Sequence, residues 1–152
     1  MKKRTGILAA VYDTETTNLE IVENGNTEHR AFPVLFIVND LRGRRIQDYN
    51  SEEDTIIFFR KSSEMLEYID ELIAWGKGPH FPIVAAYNLM FDLQPIIYEL
   101  SKKYRLRIVG QSSAKSYYVD VCENTGKTLL RFWDTWYLEQ NGLAAMGRAS
   151  GF

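Results

Sequence analysis

The chain has 152 residues, 45% of them hydrophobic and 25% charged, with a net charge of −2. That length suits one domain with a sizeable core, and the charge excludes a surface uniformly adapted to nucleic acid. Cys122 is the single cysteine, which excludes an internal disulfide and a cysteine-rich zinc site, and no apolar run approaches the ~20 residues of a membrane span.

In chain order, Ile7 to Tyr12 is a short apolar run that reads as a buried strand. Thr14 to Asn26 is polar and reads as a loop. Ala31 to Asn39 reads as a second strand, with Pro33 near its start. Arg45 to Tyr49 is a third candidate strand, and Thr55 to Phe59 continues the pattern. Ser62 or Ser63 is placed to cap a helix carrying Met65, Leu66, Ile69, Leu72 and Ile73 at helical spacing. Gly76 and Gly78 end that helix. Ile83 to Tyr87 reads as a buried strand and Phe91 to Tyr104 as a helix, with Pro95 accommodated in its first turn. Leu106 to Val109, Ser116 to Cys122 and Thr128 to Trp133 read as three more strands, the last two joined by a hairpin at Glu123-Asn-Thr-Gly126. Leu138 to Met146 reads as a helix. The two histidines, His29 and His80, fall in expected loops. This order predicts a single α/β domain over residues 1–152, with a mixed sheet flanked by helices.

Three segments carry candidate chemistry. Asp13 and Glu15 end the first strand, and residues two apart in a strand face the same way. Two carboxylates so placed suit hard cations such as Mg²⁺ or Mn²⁺. With 20 acidic residues in the chain such a pair also arises by chance, so a solvated strand end is the plain alternative. Asp92 opens a helix after another buried strand, where Asn88 is placed as an N-cap. If both strands end on one edge of the sheet, Asp92 faces Asp13 and Glu15 across a crevice. Carboxylates gathered there repel, and a divalent cation relieves the repulsion. Two cations ~3.5–4 Å apart suit phosphodiester hydrolysis. Asp134, Thr135 and Trp136 follow the last strand. There Thr135 is a candidate for a phosphate or sugar and Trp136 for base stacking, against an ordinary buried aromatic beside a capping Asp134 or Thr135. Ser-His-Asp catalysis, histidine–cysteine metal sites and a G-x-x-x-x-G-K phosphate loop have no counterpart in the sequence.

Together these motifs resemble the N-terminal 3′→5′ exonuclease domain of family B DNA polymerases, above all the protein-primed branch of bacteriophages and linear plasmids. Asp13-Thr14-Glu15-Thr16 resembles its Asp-x-Glu-Thr motif. Asn88, Phe91 and Asp92 match Asn-x-x-Phe-Asp. Asp134-Thr135-Trp136 is similar to a third, single-strand-binding segment, with Trp136 in place of an aliphatic residue. The resemblance implies a ribonuclease H-like fold and two divalent metals, Mg²⁺ or Mn²⁺. It implies removal of nucleotides from single-stranded DNA 3′ ends. Asp13, Glu15 and Asp92 would be the catalytic metal ligands, and Thr16, Tyr87, Asn88, Phe91, Thr135 and Trp136 the DNA contacts. The implied partners are the single-stranded 3′ end, the remainder of a polymerase chain and a terminal protein primer, in the cytoplasm of a bacterial host.

One family motif is missing. No Tyr-x-x-x-Asp occurs anywhere, and after Asp134 the only acidic residue is Glu139. The expectation is therefore a polymerase fragment whose nuclease site lacks one ligand, weakly active or inactive alone, with an exposed sheet edge open to homo-oligomers. The alternative is a non-catalytic module on the same fold that binds metal, single strands or a protein.

Overall fold

The computed structural model describes residues 4–42, 56–76, 78–112 and 115–135. Seven strands form one mixed sheet: β1 (Thr5–Glu23), β2 (Asn26–Asp40), β3 (Ile56–Phe59), β4 (His80–Ala86), β5 (Arg105–Ser112), β6 (Lys115–Cys122) and β7 (Thr128–Asp134). Helices α1 (Ser62–Trp75) and α2 (Leu89–Lys103) connect β3 to β4 and β4 to β5. The order across the sheet is β3-β2-β1-β4-β7-β6-β5. The central strands β1, β4 and β7 run parallel, and antiparallel pairs flank them on both sides. The α/β class and mixed sheet expected from the sequence are therefore present.

Alternation within the strands decides which face is covered. Ala10, Tyr12, Phe36, Val38, Val84, Ala86, Val119, Val121, Leu130 and Phe132 pack with Met65, Ile69 and Leu72 of α1 and Leu89, Leu93 and Ile96 of α2. Each large apolar side chain so buried contributes about 1.5–3 kcal/mol. On the opposite face Leu8, Val11, Ile56 and Phe58 are exposed. In β1, Leu8 pairs with Ile83 but Ala10 pairs with Val84, so Ala9 is an extra residue in the ladder. This bulge is why two consecutive alanines are both buried.

The structure corrects several expectations. Residues 14–26 are not a loop. β1 runs on to Glu23, turns at Asn24-Gly25 and returns as β2. Asn24 and Gly25 have φ of 53° and 79°, the two positive angles a tight hairpin turn needs. Past Val11 β1 has no register with β4, and past Thr14 its partner β2 has none with β3, so the rest of the hairpin projects beyond the sheet as a two-stranded arm. His29 lies in β2 and His80 opens β4, so neither is in a loop. Lys61, not a serine, caps α1, and Glu64 accepts the Lys61 N–H at 3.2 Å. α2 begins at Leu89, which puts Pro95 past the first turn, where its ring removes a donor for the Phe91 carbonyl. The candidate strand Arg45 to Tyr49 and the candidate helix Leu138 to Met146 lie outside the described residues.

Candidate carboxylate site at the ends of the parallel strands

The register places the site. Val11 pairs with Ala85, Ala85 with Trp133, and Ala86 with Asp134. The residues that follow Val11 in β1, those that follow β4 and the last residue of β7 therefore share one edge of the sheet. Asp13, Asp92 and Asp134 arrive at that edge from β1, α2 and β7.

Asp134 is buried and its carboxylate accepts the backbone N–H groups of Asn88 at 3.1 Å and Leu89 at 3.2 Å. It therefore does from a distant strand what an N-cap side chain does locally. Asn88 occupies the N-cap position with φ 60°, but its side chain makes no capping hydrogen bond. Asp134 is thus a site residue that local reasoning undervalued. Its signal was its place at the end of a strand aimed at the edge where α2 begins.

Asp92, only 2% exposed, is fixed by β1. Its carboxylate accepts the Thr14 N–H at 3.1 Å, and its backbone carbonyl accepts the Tyr12 hydroxyl at 2.7 Å. The Thr14 hydroxyl in turn donates to the Tyr12 oxygen at 2.7 Å. Burial pushes the Tyr12 phenol well above its usual range. Burial, the negative charge of Asp13, then Asp134 and Glu15, lift the Asp92 carboxyl to about 7, against the opposing Thr14 N–H. No cation among the described residues pairs with Asp92.

Asp13 and Glu15 are exposed, while Tyr12 and Thr14, which alternate with them, are buried. Their side chains therefore leave β1 on the face opposite Tyr12, Thr14 and Asp92. Asp13 lines a groove of about 500 Å³ with Leu8, Val11, Ala85, Tyr87 and Thr135. The backbone of β1 stands between this groove and Asp92. Among the described residues, no three carboxylate, histidine or cysteine side chains are close enough to hold one metal ion.

The proposed DNA contacts are spread around this edge. Thr16 is half-buried at a register shift between β1 and β2, and Tyr87 is half-buried in the groove wall. Asn88 and Phe91 are exposed at the start of α2. The Thr135 hydroxyl donates to the Ala86 carbonyl at 3.3 Å, joining the ends of β7 and β4. Trp136 lies outside the described residues.

Among the described residues, no helix is long and apolar enough to cross a membrane. Comparison with protein families, with curated proteins and with solved structures finds no match to this chain.

Proposed function

We propose that the chain carries a 3′→5′ exonuclease site of the family B polymerase type, on a ribonuclease H-like sheet, acting on single-stranded DNA ends. The observation that carries this reading is the gathering of Asp13, Glu15, Asp92 and Asp134 about one sheet edge, where their charges add to burial in raising the Asp92 pKa to about 7. A charge arrangement that disfavours itself is characteristic of a functional site. The strand order β3-β2-β1-β4-β7, with β1, β4 and β7 parallel, is compatible with the proposed fold.

The donor set suits the proposed metals. All the candidate ligands are carboxylate oxygens, which favour Mg²⁺ or Mn²⁺ over softer metals. Asp13, Glu15 and Asp92 would hold such ions only once the end of β1 moves to bring them together, and the ions would then supply an activated water and stabilise the leaving oxygen. The chain's own groups bind and orient the end. Phe91 offers a ring 46% exposed on which a terminal base can stack. Asn88 and Thr16 supply hydrogen bonds to sugar and phosphate, and Tyr87 shapes the groove wall. In this reading the remainder of a polymerase and a terminal protein primer are the partners.

A second reading has its own observation. Because β1 separates Asp92 from Asp13 and Glu15, the fold also suits a module that binds single strands without cutting them. One experiment separates the two. With 5′-labelled single-stranded DNA and Mn²⁺, the nuclease reading expects slow shortening from the 3′ end that disappears in Asp13→Ala. DNA binding without any shortening, and no Mn²⁺-induced thermal shift, would overturn it in favour of the binding module.

A further inference from the structure

The face of the sheet turned away from the helices carries a second arrangement of side chains, outside the carboxylate edge. Period-two alternation puts Tyr118 and Asp120 of β6, and Arg131 and Trp133 of β7, on that face. They are in register: Tyr118 pairs with Trp133, Asp120 with Arg131, and Arg107 of β5 with Asp120. Trp133 also pairs with Ala85, which lines the groove beside Asp13. The arrangement is therefore continuous with the groove.

Its charge is not balanced. Asp120 is fully buried. It accepts Arg131 Nε at 2.7 Å and Nη2 at 3.1 Å, Arg107 Nη2 at 3.0 Å and the Thr128 hydroxyl at 3.1 Å. Three of those bonds fall on Oδ2 and one on Oδ1. Two guanidinium groups thus share one carboxylate, and Arg107 is half exposed with donors to spare. Arg105 lies two residues away on the same face, exposed and without an ion pair among the described residues. Arg4 adds a fourth guanidinium, 5.5 Å from the Phe81 ring.

The aromatic residues interleave with these cations. The Arg131 guanidinium lies 4.1 Å from the Tyr118 ring and 5.2 Å from the Phe81 ring. Phe81 is covered by its two arginines, but Tyr118 and Trp133 remain half exposed. Single-stranded nucleic acids are held by this combination, a positive track for the backbone and ring faces for the bases. An acidic peptide needs the charges but gains nothing from flat rings arranged along the track.

We propose that this band binds single-stranded nucleic acid, with Arg105 and Arg107 on phosphates and Tyr118 and Trp133 under bases, and leads the strand toward the groove at Asp13. The proposal extends the nuclease reading by giving the strand a path, yet it stands without it, because binding here needs no metal ion and no cleavage.

The test is fluorescence anisotropy of the full chain with labelled oligothymidylate, in EDTA, across a salt series. Wild-type affinity falls with salt. Removing one arginine–phosphate interaction should make the log–log slope shallower by about 0.7. Arg105→Ala/Arg107→Ala is expected to bind about tenfold more weakly with a slope shallower by about 1.4, since it removes two such interactions. Arg105→Ala alone disturbs no ion pair, so it gives the change for one phosphate even if the double variant is unstable. Arg105→Lys/Arg107→Lys should restore the slope. No binding by the wild type, an unchanged slope in Arg105→Ala, or equal competition by polyglutamate of matched charge would overturn the proposal. Loss of nuclease activity with this binding intact would count against the carboxylate site alone.

Discussion

Two buried aspartates on one sheet meet opposite fates. Asp120 is fully buried on the open face and Asp92, in the first turn of α2, is 2% exposed. Burial pushes both carboxyls up. At Asp120, hydrogen bonds from Arg131 and Arg107 outweigh burial and hold the carboxyl below its usual range. At Asp92 the neighbours Asp13, Asp134 and Glu15 add to burial, and only the Thr14 N–H opposes. Desolvation is thus common to both, and the sign of the neighbouring charge decides the outcome. One carboxylate is a finished structural element. The other is a carboxyl whose burial and like-charged neighbours both oppose its ionisation.

The sharpest way to break this comparison is a pair of matched substitutions followed by urea denaturation. Asp120→Asn should lower stability by about 2–3 kcal/mol, less than the roughly 3–5 kcal/mol for breaking a fully buried pair because its arginines are partly exposed. Asp92→Asn keeps an acceptor for the Thr14 N–H and removes a disfavoured charge. At pH 8, without divalent metal, it should raise stability by about 1–2 kcal/mol. If both substitutions destabilise alike, the two carboxylates do not differ in the way their surroundings imply.

The pH dependence sharpens the same contrast. Asp92 holds its proton more tightly folded, at about 7, than at its ordinary 3.8. Its contribution to stability is therefore full below about pH 4 and is lost as the pH rises through 7. Between those values the metal-free protein should lose somewhat under about 1.4 kcal/mol per pH unit, and Asp92→Asn should flatten that slope. Asp120 has the opposite sign. Its contribution is present above the ordinary carboxylate pKa and is lost only in more acidic solution, so it leaves the window clear. Millimolar Mn²⁺ should also flatten the slope, read as a metal-dependent rise in melting temperature at pH 8 that exceeds the rise at pH 5. Equal shifts at both pH values would show that Asp92 does not meet the ion.

What the sequence made legible follows from where its signals are local. β4, β7, α1 and the Glu123–Gly126 hairpin could be read because apolar runs and turn residues stand next to one another in the chain. The arm of β1 and β2 could not be read by hydrophobic alternation, because Leu19 and Val22 are exposed on it. Its one legible mark was Asn24-Gly25. The carboxylates were likewise visible by type and by strand-end position. Their division between the two faces of β1 was not, since it depends on Tyr12 and Thr14 facing α2. Nor was the capping of α2 by Asp134, a hydrogen bond across 45 residues of chain. Pattern reports which residues share a face, and tertiary packing decides which element that face meets.

The smallest effect probes how Asp92 is held. Tyr12 is buried and its hydroxyl donates to the Asp92 carbonyl at 2.7 Å, so it ties β1 to the first turn of α2. Tyr12→Phe keeps the ring, including its stacking on Phe36 at 6.5 Å, and removes the donor to Asp92, while the Thr14 hydroxyl, which loses the Tyr12 oxygen, keeps the Asp92 carbonyl at 3.3 Å as its acceptor. The expected loss is about 1 kcal/mol, the net value of one neutral hydrogen bond. The Thr14 N–H still reaches the Asp92 carboxylate, and the surrounding charges are unchanged, so the pH slope between 4 and 7 should survive in this variant. A slope that vanished in Tyr12→Phe would mean that the position of α2, more than the neighbouring carboxylates, sets the Asp92 proton affinity. The contrast with Asp120 would then be one of geometry before it is one of charge.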